Sequence, residues 1–140
     1  MLKALRLSDV AGPLSARVIG VDVAFSAVSS DSRAIQPGQL FVALAGPRFD
    51  GHDYLAEVAS KGAVAALVER EVAGAPLPQL LVADTRLALG QLGALNRQAF
   101  NAPVVAITGS SGKTTVKEML ASILRVGLQG PVLATRGNLN

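Results

Sequence analysis

The run Gly109-Ser110-Ser111-Gly112-Lys113-Thr114-Thr115 has the residue types and the order of a loop that binds phosphate. Glycines allow consecutive backbone N–H groups to turn towards one anion. A lysine adds a mobile charge for the β and γ phosphates of a nucleotide, and the hydroxyl that follows it is a ligand for Mg²⁺. We therefore take all seven residues as candidate nucleotide contacts, Lys113 and Thr114 as candidate catalytic residues, and Thr114 as the candidate metal ligand.

This loop departs from the common phosphate-loop pattern, which has a glycine five residues before the glycine-lysine pair. Ile107 stands at that position, and the first glycine comes two residues later. The alternative is a Gly/Ser-rich turn with an accidental lysine at the start of a helix. The flanking segments favour the phosphate loop, since residues 103–108 predict an apolar strand and residues 116–127 a helix that ends at Gly127. Residues 131–135 predict a further strand.

Two polar segments earlier in the chain form a second candidate site. Residues 29–33 follow a predicted strand, and Arg33 has either of two interpretations: a turn held together with Asp31, or a guanidinium that binds phosphate or carboxylate. His52 is the one histidine. Its spacing indicates no serine or water-activating partner, so we expect it to orient its loop or bind a ligand rather than exchange protons. Asp53 is predicted to cap a helix that runs to about residue 61 and ends at Gly62.

The rest of the pattern predicts an α/β fold. A short helix is predicted over residues 2–11, and Asp84 is predicted to cap a helix from Thr85 to about Phe100. The predicted strands cover residues 21–25, 40–44, 63–68 and 79–84. Strands that alternate with helices favour a parallel sheet covered on both faces. We place a first domain at residues 1–84, a linker helix at 85–102 and the beginning of a nucleotide-binding domain at 103–140.

Composition excludes several classes of protein. The 140 residues are 50% hydrophobic and 16% charged, which indicates a folded chain with a core. The absence of cysteine excludes a disulfide scaffold, a thiolate metal site and a cysteine nucleophile. A net charge of +3 and 4% aromatic residues do not indicate a nucleic-acid partner. Charges in the first ten residues argue against a signal peptide. The sequence contains no uncharged apolar run that is long enough to span a membrane. We therefore expect a cytoplasmic protein.

Two sets of motifs together resemble the Mur ligases, the ATP-dependent enzymes that add amino acids to the peptidoglycan precursor of bacteria. The phosphate loop followed by Val116-Lys117-Glu118-Met119 is the first set. The second set is similar to the amino-terminal domain of that family, and it consists of Ser30-Asp31-Ser32-Arg33, Pro37-Gly38, residues 40–44, Gly46 and residues 49–54.

The resemblance implies a small amino-terminal α/β substrate domain followed by the first part of a P-loop ATPase domain with a parallel sheet. It implies ATP and Mg²⁺ as cofactors, with phosphorylation of a carboxylate by ATP to an acyl phosphate that an amine then attacks. Asn138 would approach the phosphate. The segments that would frame the uridine diphosphate of the substrate contribute Ser30, Asp31, Ser32, Arg33, Phe49, Asp50, Gly51, His52 and Asp53.

Ser110, residues 116–119 and the closing residues 135–140 are similar to the family member that adds D-alanyl-D-alanine to UDP-N-acetylmuramoyl-tripeptide. One alternative is the member that adds diaminopimelate or lysine, and another is a stand-alone nucleotide-binding module. Because members of the family are considerably longer, we expect this chain to be a truncated piece that is inactive by itself. We also expect it to be a monomer.

Overall fold

The computed structural model describes residues 4–135 of the chain. The chain forms two compact units, Met1–Phe100 and Asn101–Asn140. The first unit is a mixed α/β structure, which confirms the predicted fold class. No helix in the described range is both long enough and apolar enough to cross a bilayer.

The described elements are short strands and four α-helices. The strands are β1 Leu5–Arg6, β2 Arg17–Ile19, β3 Ala24–Phe25, β4 Ala27–Ser29, β5 Gln39–Val42, β6 Ala45–Gly46, β7 Phe49–Asp50, β8 Ala65–Val68 and β9 Gln79–Leu81. The helices are α1 Leu7–Ala11, α2 Leu55–Ser60, α3 Thr85–Ala99 and α4 Lys113–Gly127, with a 3₁₀ turn at Gly51–Tyr54.

The main sheet of the first unit has the strand order β2-β9-β8-β5-β4. The strands β4, β5, β8 and β9 are parallel, which confirms the predicted parallel sheet, and β2 pairs with β9 in the antiparallel direction at one edge. The strands β2 and β4 were not predicted. An antiparallel edge strand on a mostly parallel sheet is common. Since the four parallel strands all end at the same edge, the loops that follow them meet there.

Helices cover both faces of this sheet, as the alternation of strands and helices predicted. Successive side chains of a strand point to opposite faces. Leu40 and Val42 of β5 pack in the core that α1 and α3 cover. Phe41 of β5 packs in the second core, beneath Leu55 and Val58 from the α2 side. The buried residues of α3 therefore belong to the core of the first unit, and the role of residues 85–102 as a linker stays a prediction.

The structure corrects the predicted helix and the predicted strand near the amino terminus. Residues 5–6 form β1, and the helix begins only at Leu7. In the predicted strand over residues 21–25, only Ala24–Phe25 form a strand, while Val21 is 69% exposed. The cause is Asp22, whose carboxylate accepts hydrogen bonds from the Arg6 guanidinium and from the backbone N–H of Ser8. Arg6 Nη2 also donates to the backbone carbonyl oxygen of Asp22 at 2.7 Å, so that this carbonyl is bound by a side chain rather than by a neighbouring strand.

The second unit contains α4, which begins at Lys113. Within the described residues, neither 103–108 nor 131–135 forms a strand, contrary to prediction. A strand is defined by hydrogen bonds to a neighbouring strand, and no such ladder includes these two segments within the described residues. Several apolar side chains of the unit are exposed, among them Val105, Ile123 and Leu133.

Candidate functional site

The predicted substrate segments lie at the carboxyl ends of neighbouring parallel strands. Residues 30–33 follow β4, and the hairpin of β6 and β7 follows β5, which lies beside β4. Ligands of open α/β sheets bind beyond the carboxyl ends of the strands. The topology therefore brings the two predicted segments to the same edge of the sheet.

Arg33 binds Asp31 within its own turn. Its Nε donates to Asp31 Oδ1 at 2.9 Å, and its Nη2 donates to Asp31 Oδ2 at 2.8 Å. The Arg33 backbone N–H also donates to Asp31 Oδ1. The side-chain bonds from Arg33 lower the pKa of Asp31 to about 2. The structure shows the turn, and because the Arg33 side chain is 86% exposed, its binding of a phosphate or carboxylate stays a prediction. Ser32 is held from another direction, since Lys61 Nζ donates to its carbonyl oxygen.

Asp50, rather than Asp53, caps the helical turn that follows β7. Its carboxylate accepts a 2.9 Å hydrogen bond from the backbone N–H of His52. The prediction that Asp53 is the cap is therefore wrong, because a 3₁₀ turn precedes α2 and moves the start of the helical segment back by three residues. Phe49, just before this turn, is 56% exposed at the same edge of the sheet.

His52 is buried, with only 3% of its surface exposed. Its Nδ1 lies within hydrogen-bond distance of Asp50 Oδ1, and its Nε2 accepts a 3.0 Å bond from the backbone N–H of Glu69. Acceptance at Nε2 places the proton of a neutral imidazole on Nδ1. Both nitrogens are thus engaged within the protein, and the ring joins the loop after β5 to the end of β8.

Gly51 packs directly against the backbone that follows β5. A Cβ at this position would lie 2.7 Å from the Ala43 Cα, and the Gly51 N–H donates to the Leu44 carbonyl oxygen at 2.8 Å. No larger residue fits without moving one of the two segments.

Sequence reasoning missed three residues of this edge: Glu69, Arg70 and Thr85. Arg70 Nη2 lies 2.8 Å from Asp50 Oδ2. Glu69 Oε1 accepts from the backbone N–H of Thr85 at 2.8 Å and lies at the same distance from its hydroxyl. The signal that could have found Glu69 and Arg70 is their position, directly after a predicted buried parallel strand.

Asp50 makes the stability of the first unit depend on pH. Hydrogen bonds from the backbone and side chain of His52, and one from Arg70, lower the pKa of Asp50 from 3.8 to about 2. A lowered pKa in the folded state stabilises the fold above the unfolded-state pKa, and this contribution is lost as the pH falls towards the folded-state value. The free energy of unfolding should therefore decrease as the pH falls from about 4 to about 2.

The variant Asp50→Asn tests this dependence. We expect it to be less stable than the parent at neutral pH, with a difference that shrinks as the pH falls through this window. Urea unfolding of both proteins from neutral to acidic pH measures the difference, and Asp53→Asn controls for the loss of an exposed carboxylate nearby. A difference that does not change with pH would contradict the proposed role of the Asp50 charge.

In the second unit, both glycines of the phosphate loop have a positive φ, a backbone conformation that glycine adopts more readily than other residues. Gly109 has a φ of 154° and Gly112 a φ of 74°. Gly112, in the left-handed region, is the N-cap residue that directly precedes α4. Lys113 is the first residue of α4, and its Nζ donates to the Gly109 carbonyl oxygen at 2.6 Å. The lysine side chain is therefore folded back over the loop.

This arrangement fits a nucleotide phosphate. The amino end of a helix directs backbone N–H groups and a partial positive charge towards an anion, and α4 places Lys113 and the Thr114 hydroxyl in its first turn. Ser110 and Ser111 lie exposed in the loop. No group of three or more acidic or histidine side chains able to hold a metal occurs within residues 4–135. Asn138 lies outside the described residues.

Comparison with known proteins gives matches over both units. Residues 24–97 match the model of the Mur ligase family catalytic domain. Residues 107–140 match the model of the Mur ligase middle domain. The two segments that carry the sequence motifs fall in separate matches, in the order in which the motifs occur.

Individual relatives match along nearly the whole chain. The UDP-N-acetylmuramoyl-tripeptide--D-alanyl-D-alanine ligase of Escherichia coli K12 is 51% identical over 134 residues, which is 96% of this chain and 29% of that protein. A crystal structure of MurF from Acinetobacter baumannii, 44% identical, has a TM-score of 0.85 over 99% of this chain and 31% of its own. MurF from Thermotoga maritima in complex with ADP, 37% identical, has a TM-score of 0.67 over 81% of this chain and 26% of its own. The chain thus spans about three-tenths of the length of these relatives.

Proposed function

Because this chain belongs to the Mur ligase family, we propose that the protein carrying it joins D-alanyl-D-alanine to UDP-N-acetylmuramoyl-tripeptide at the expense of ATP. The observation that carries the proposal is the 51% identity to the Escherichia coli ligase, which extends over both the phosphate loop and the edge with the substrate segments. The proposed reaction is a step of peptidoglycan synthesis, and we propose the cytoplasm as its location because the reaction consumes ATP.

The phosphate loop is proposed to bind ATP with Mg²⁺. Lys113 stabilises the charge that develops as the γ-phosphoryl group leaves, and the Thr114 hydroxyl is the proposed metal ligand. The folded-back position of Lys113 over Gly109 supports this role, since the ammonium group already lies over the loop. Ser110, Ser111, Thr115 and the two glycines are proposed to complete the phosphate contacts, and Asn138 is proposed to approach the same phosphate.

The loops at the carboxyl edge of the first unit are proposed to bind the uridine diphosphate end of the substrate. Ser30 and Ser32 offer hydroxyl groups there, and exposed Phe49 offers a ring face. Asp31 and Arg33 shape the first loop through their mutual bonds. Asp50, Gly51, His52 and Asp53 form the second loop, in which His52 has a positioning role because its ring is buried. In this proposal, the first unit binds the uridine diphosphate end of the substrate and the second unit binds ATP.

The chemistry proposed is activation of a carboxylate by phosphoryl transfer. ATP phosphorylates the free carboxylate of the UDP-linked tripeptide, and the amine of D-alanyl-D-alanine displaces phosphate to form the amide. The chain's own part in this is electrostatic: it holds the nucleotide phosphates and neutralises their charge.

In a direct test, the protein that carries this chain is incubated with ATP, Mg²⁺ and one of two pairs of substrates. The first pair is UDP-N-acetylmuramoyl-tripeptide with D-alanyl-D-alanine, and the second is the UDP-linked dipeptide with diaminopimelate or lysine. We expect amide product and ADP from the first pair alone, detected by mass spectrometry. Product from the second pair would assign the chain to the tripeptide-forming ligases, and product from neither would favour a nucleotide-binding module.

A further inference from the structure

The guanidinium of Arg70 lies between the loops that follow β5 and β8, at the edge where the substrate segments meet. β5 and β8 are adjacent parallel strands, and Arg70 comes two residues after the end of β8. Its Nη2 reaches across to Asp50 Oδ2 of the neighbouring loop at 2.8 Å. Neither composition nor motif singles out this residue.

A closed set of contacts holds Arg70 in place. Asp50 Oδ1 is bound by the backbone N–H and the ring of His52, and His52 Nε2 is bound by the N–H of Glu69. Glu69 is covalently joined to Arg70, whose side chain returns to the second oxygen of Asp50. Because His52 is buried, both the carboxylate and the backbone beside Arg70 are fixed. Such support lowers the entropy cost of using the guanidinium for binding.

Arg70 retains hydrogen-bond donors for a ligand. The side chain of Arg70 is 55% exposed, and Asp50 engages its Nη2, whereas a guanidinium carries five N–H donors. Arg33 uses both Nε and Nη2 on Asp31 of its own turn. Arg33 is also exposed, but it is fixed only within its own turn, whereas Arg70 is held by the neighbouring loop and so lies between the two loops of this edge.

We infer that Arg70 is an anion-binding residue of the substrate site, which binds a phosphate of the nucleotide diphosphate while the Asp50–His52–Glu69 contacts position it. A planar guanidinium suits phosphate because two parallel N–H groups match two phosphate oxygens. This inference rests on the proposed function, since it takes the ligand of this edge to be a uridine diphosphate group.

The test compares the affinities of the protein carrying this chain for UDP and for uridine, each measured by competition against UDP-N-acetylmuramoyl-tripeptide. Arg70→Gln should weaken UDP binding about tenfold or more, since a charge-assisted bond is lost, and leave uridine binding unchanged. Arg17→Gln is the matched control, because Arg17 is also an exposed arginine in an ion pair, at 3.5 Å from Glu71. Exposed pairs of this kind contribute little to stability, so both variants should fold.

Three results would overturn the inference. Unchanged UDP binding by Arg70→Gln, with the substrate still bound by the parent, would remove Arg70 from the site and leave the proposed function standing. Equal weakening of UDP and uridine would indicate a distorted loop instead of a lost phosphate contact. A parent protein that binds neither UDP nor the UDP-tripeptide would refute the proposed function, and this inference with it.

Discussion

Replacing Lys113 with alanine is expected to lower ligase turnover by about a hundredfold to a thousandfold. This is the typical effect of removing one group that stabilises charge in the transition state. The ammonium group is the mobile charge of the phosphate loop, and it already lies 2.6 Å from the Gly109 carbonyl oxygen. Affinity for UDP-N-acetylmuramoyl-tripeptide should stay unchanged, because the residues proposed to bind it belong to the first unit. Steady-state turnover and direct binding of the UDP-tripeptide measure the two effects separately.

The matched control is Arg125→Ala, which removes a positive charge from the last turn of the same helix. Lys113 and Arg125 are 12 positions apart, or about 18 Å along a helix at 1.5 Å per residue. The control should therefore retain turnover. Equal loss of activity in both variants would mean that helix stability or net charge, rather than the lysine at the loop, is responsible. A parallel loss of UDP-tripeptide binding in Lys113→Ala would show that the two sites are not separate.

Gly51→Ala is expected to destabilise the first unit strongly. The new Cβ would lie 2.7 Å from Ala43 Cα and 2.9 Å from the Leu44 nitrogen, and backbone atoms cannot rotate out of the way. Overpacking of this kind typically costs about 1–3 kcal/mol. Because the residue lies between Asp50 and His52, substrate affinity should fall as well. Urea unfolding gives the first quantity, and binding of the UDP-tripeptide gives the second.

Gly90→Ala controls for the change of residue type. Gly90 lies within α3, and a Cβ added there would meet nothing within 4 Å. Alanine in a helix interior is favoured over glycine by about 1 kcal/mol, so this variant should be as stable as the parent or more so. If Gly51→Ala proves equally harmless, the close approach of the two loops is not a feature of the folded protein.

The sequence predicted three of the four parallel strands, β5, β8 and β9, because their signal is local, whereas β4 was not predicted. Residues 40–44 and 63–68 are short apolar runs bounded by turns; β5 overlaps the first run, beginning one residue earlier, and β8 lies within the second. Asp84 was predicted as a cap from its type and position, and its side chain indeed accepts from the Leu87 N–H. Side-chain patterns and caps involve residues only a few positions apart, which is why they can be interpreted without the fold.

The contacts that could not be predicted connect residues distant in the sequence. Asp22 is held by Arg6, which is 16 positions away, and this contact interrupts the predicted strand. His52 meets Glu69, 17 positions away, and Glu69 meets Thr85, 16 positions further. The order of the strands in the sheet determines which loops are neighbours. The hydrophobic periodicity of the sequence does not predict that order. The contact of His52 with Glu69 and the position of Arg70 beside Asp50 became apparent only with the sheet.

Transfer of an oxygen atom tests the central claim most directly, namely that this chain takes part in activating a carboxylate with ATP. The protein carrying the chain is supplied with ATP, Mg²⁺, D-alanyl-D-alanine and UDP-tripeptide whose free carboxylate is labelled with oxygen-18, and the products are analysed by mass spectrometry. The account predicts the amide product, ADP and inorganic phosphate that carries one labelled oxygen, because the amine displaces phosphate together with an oxygen of the former carboxylate. Amide formation with AMP as the nucleotide product, or with unlabelled phosphate, would contradict it.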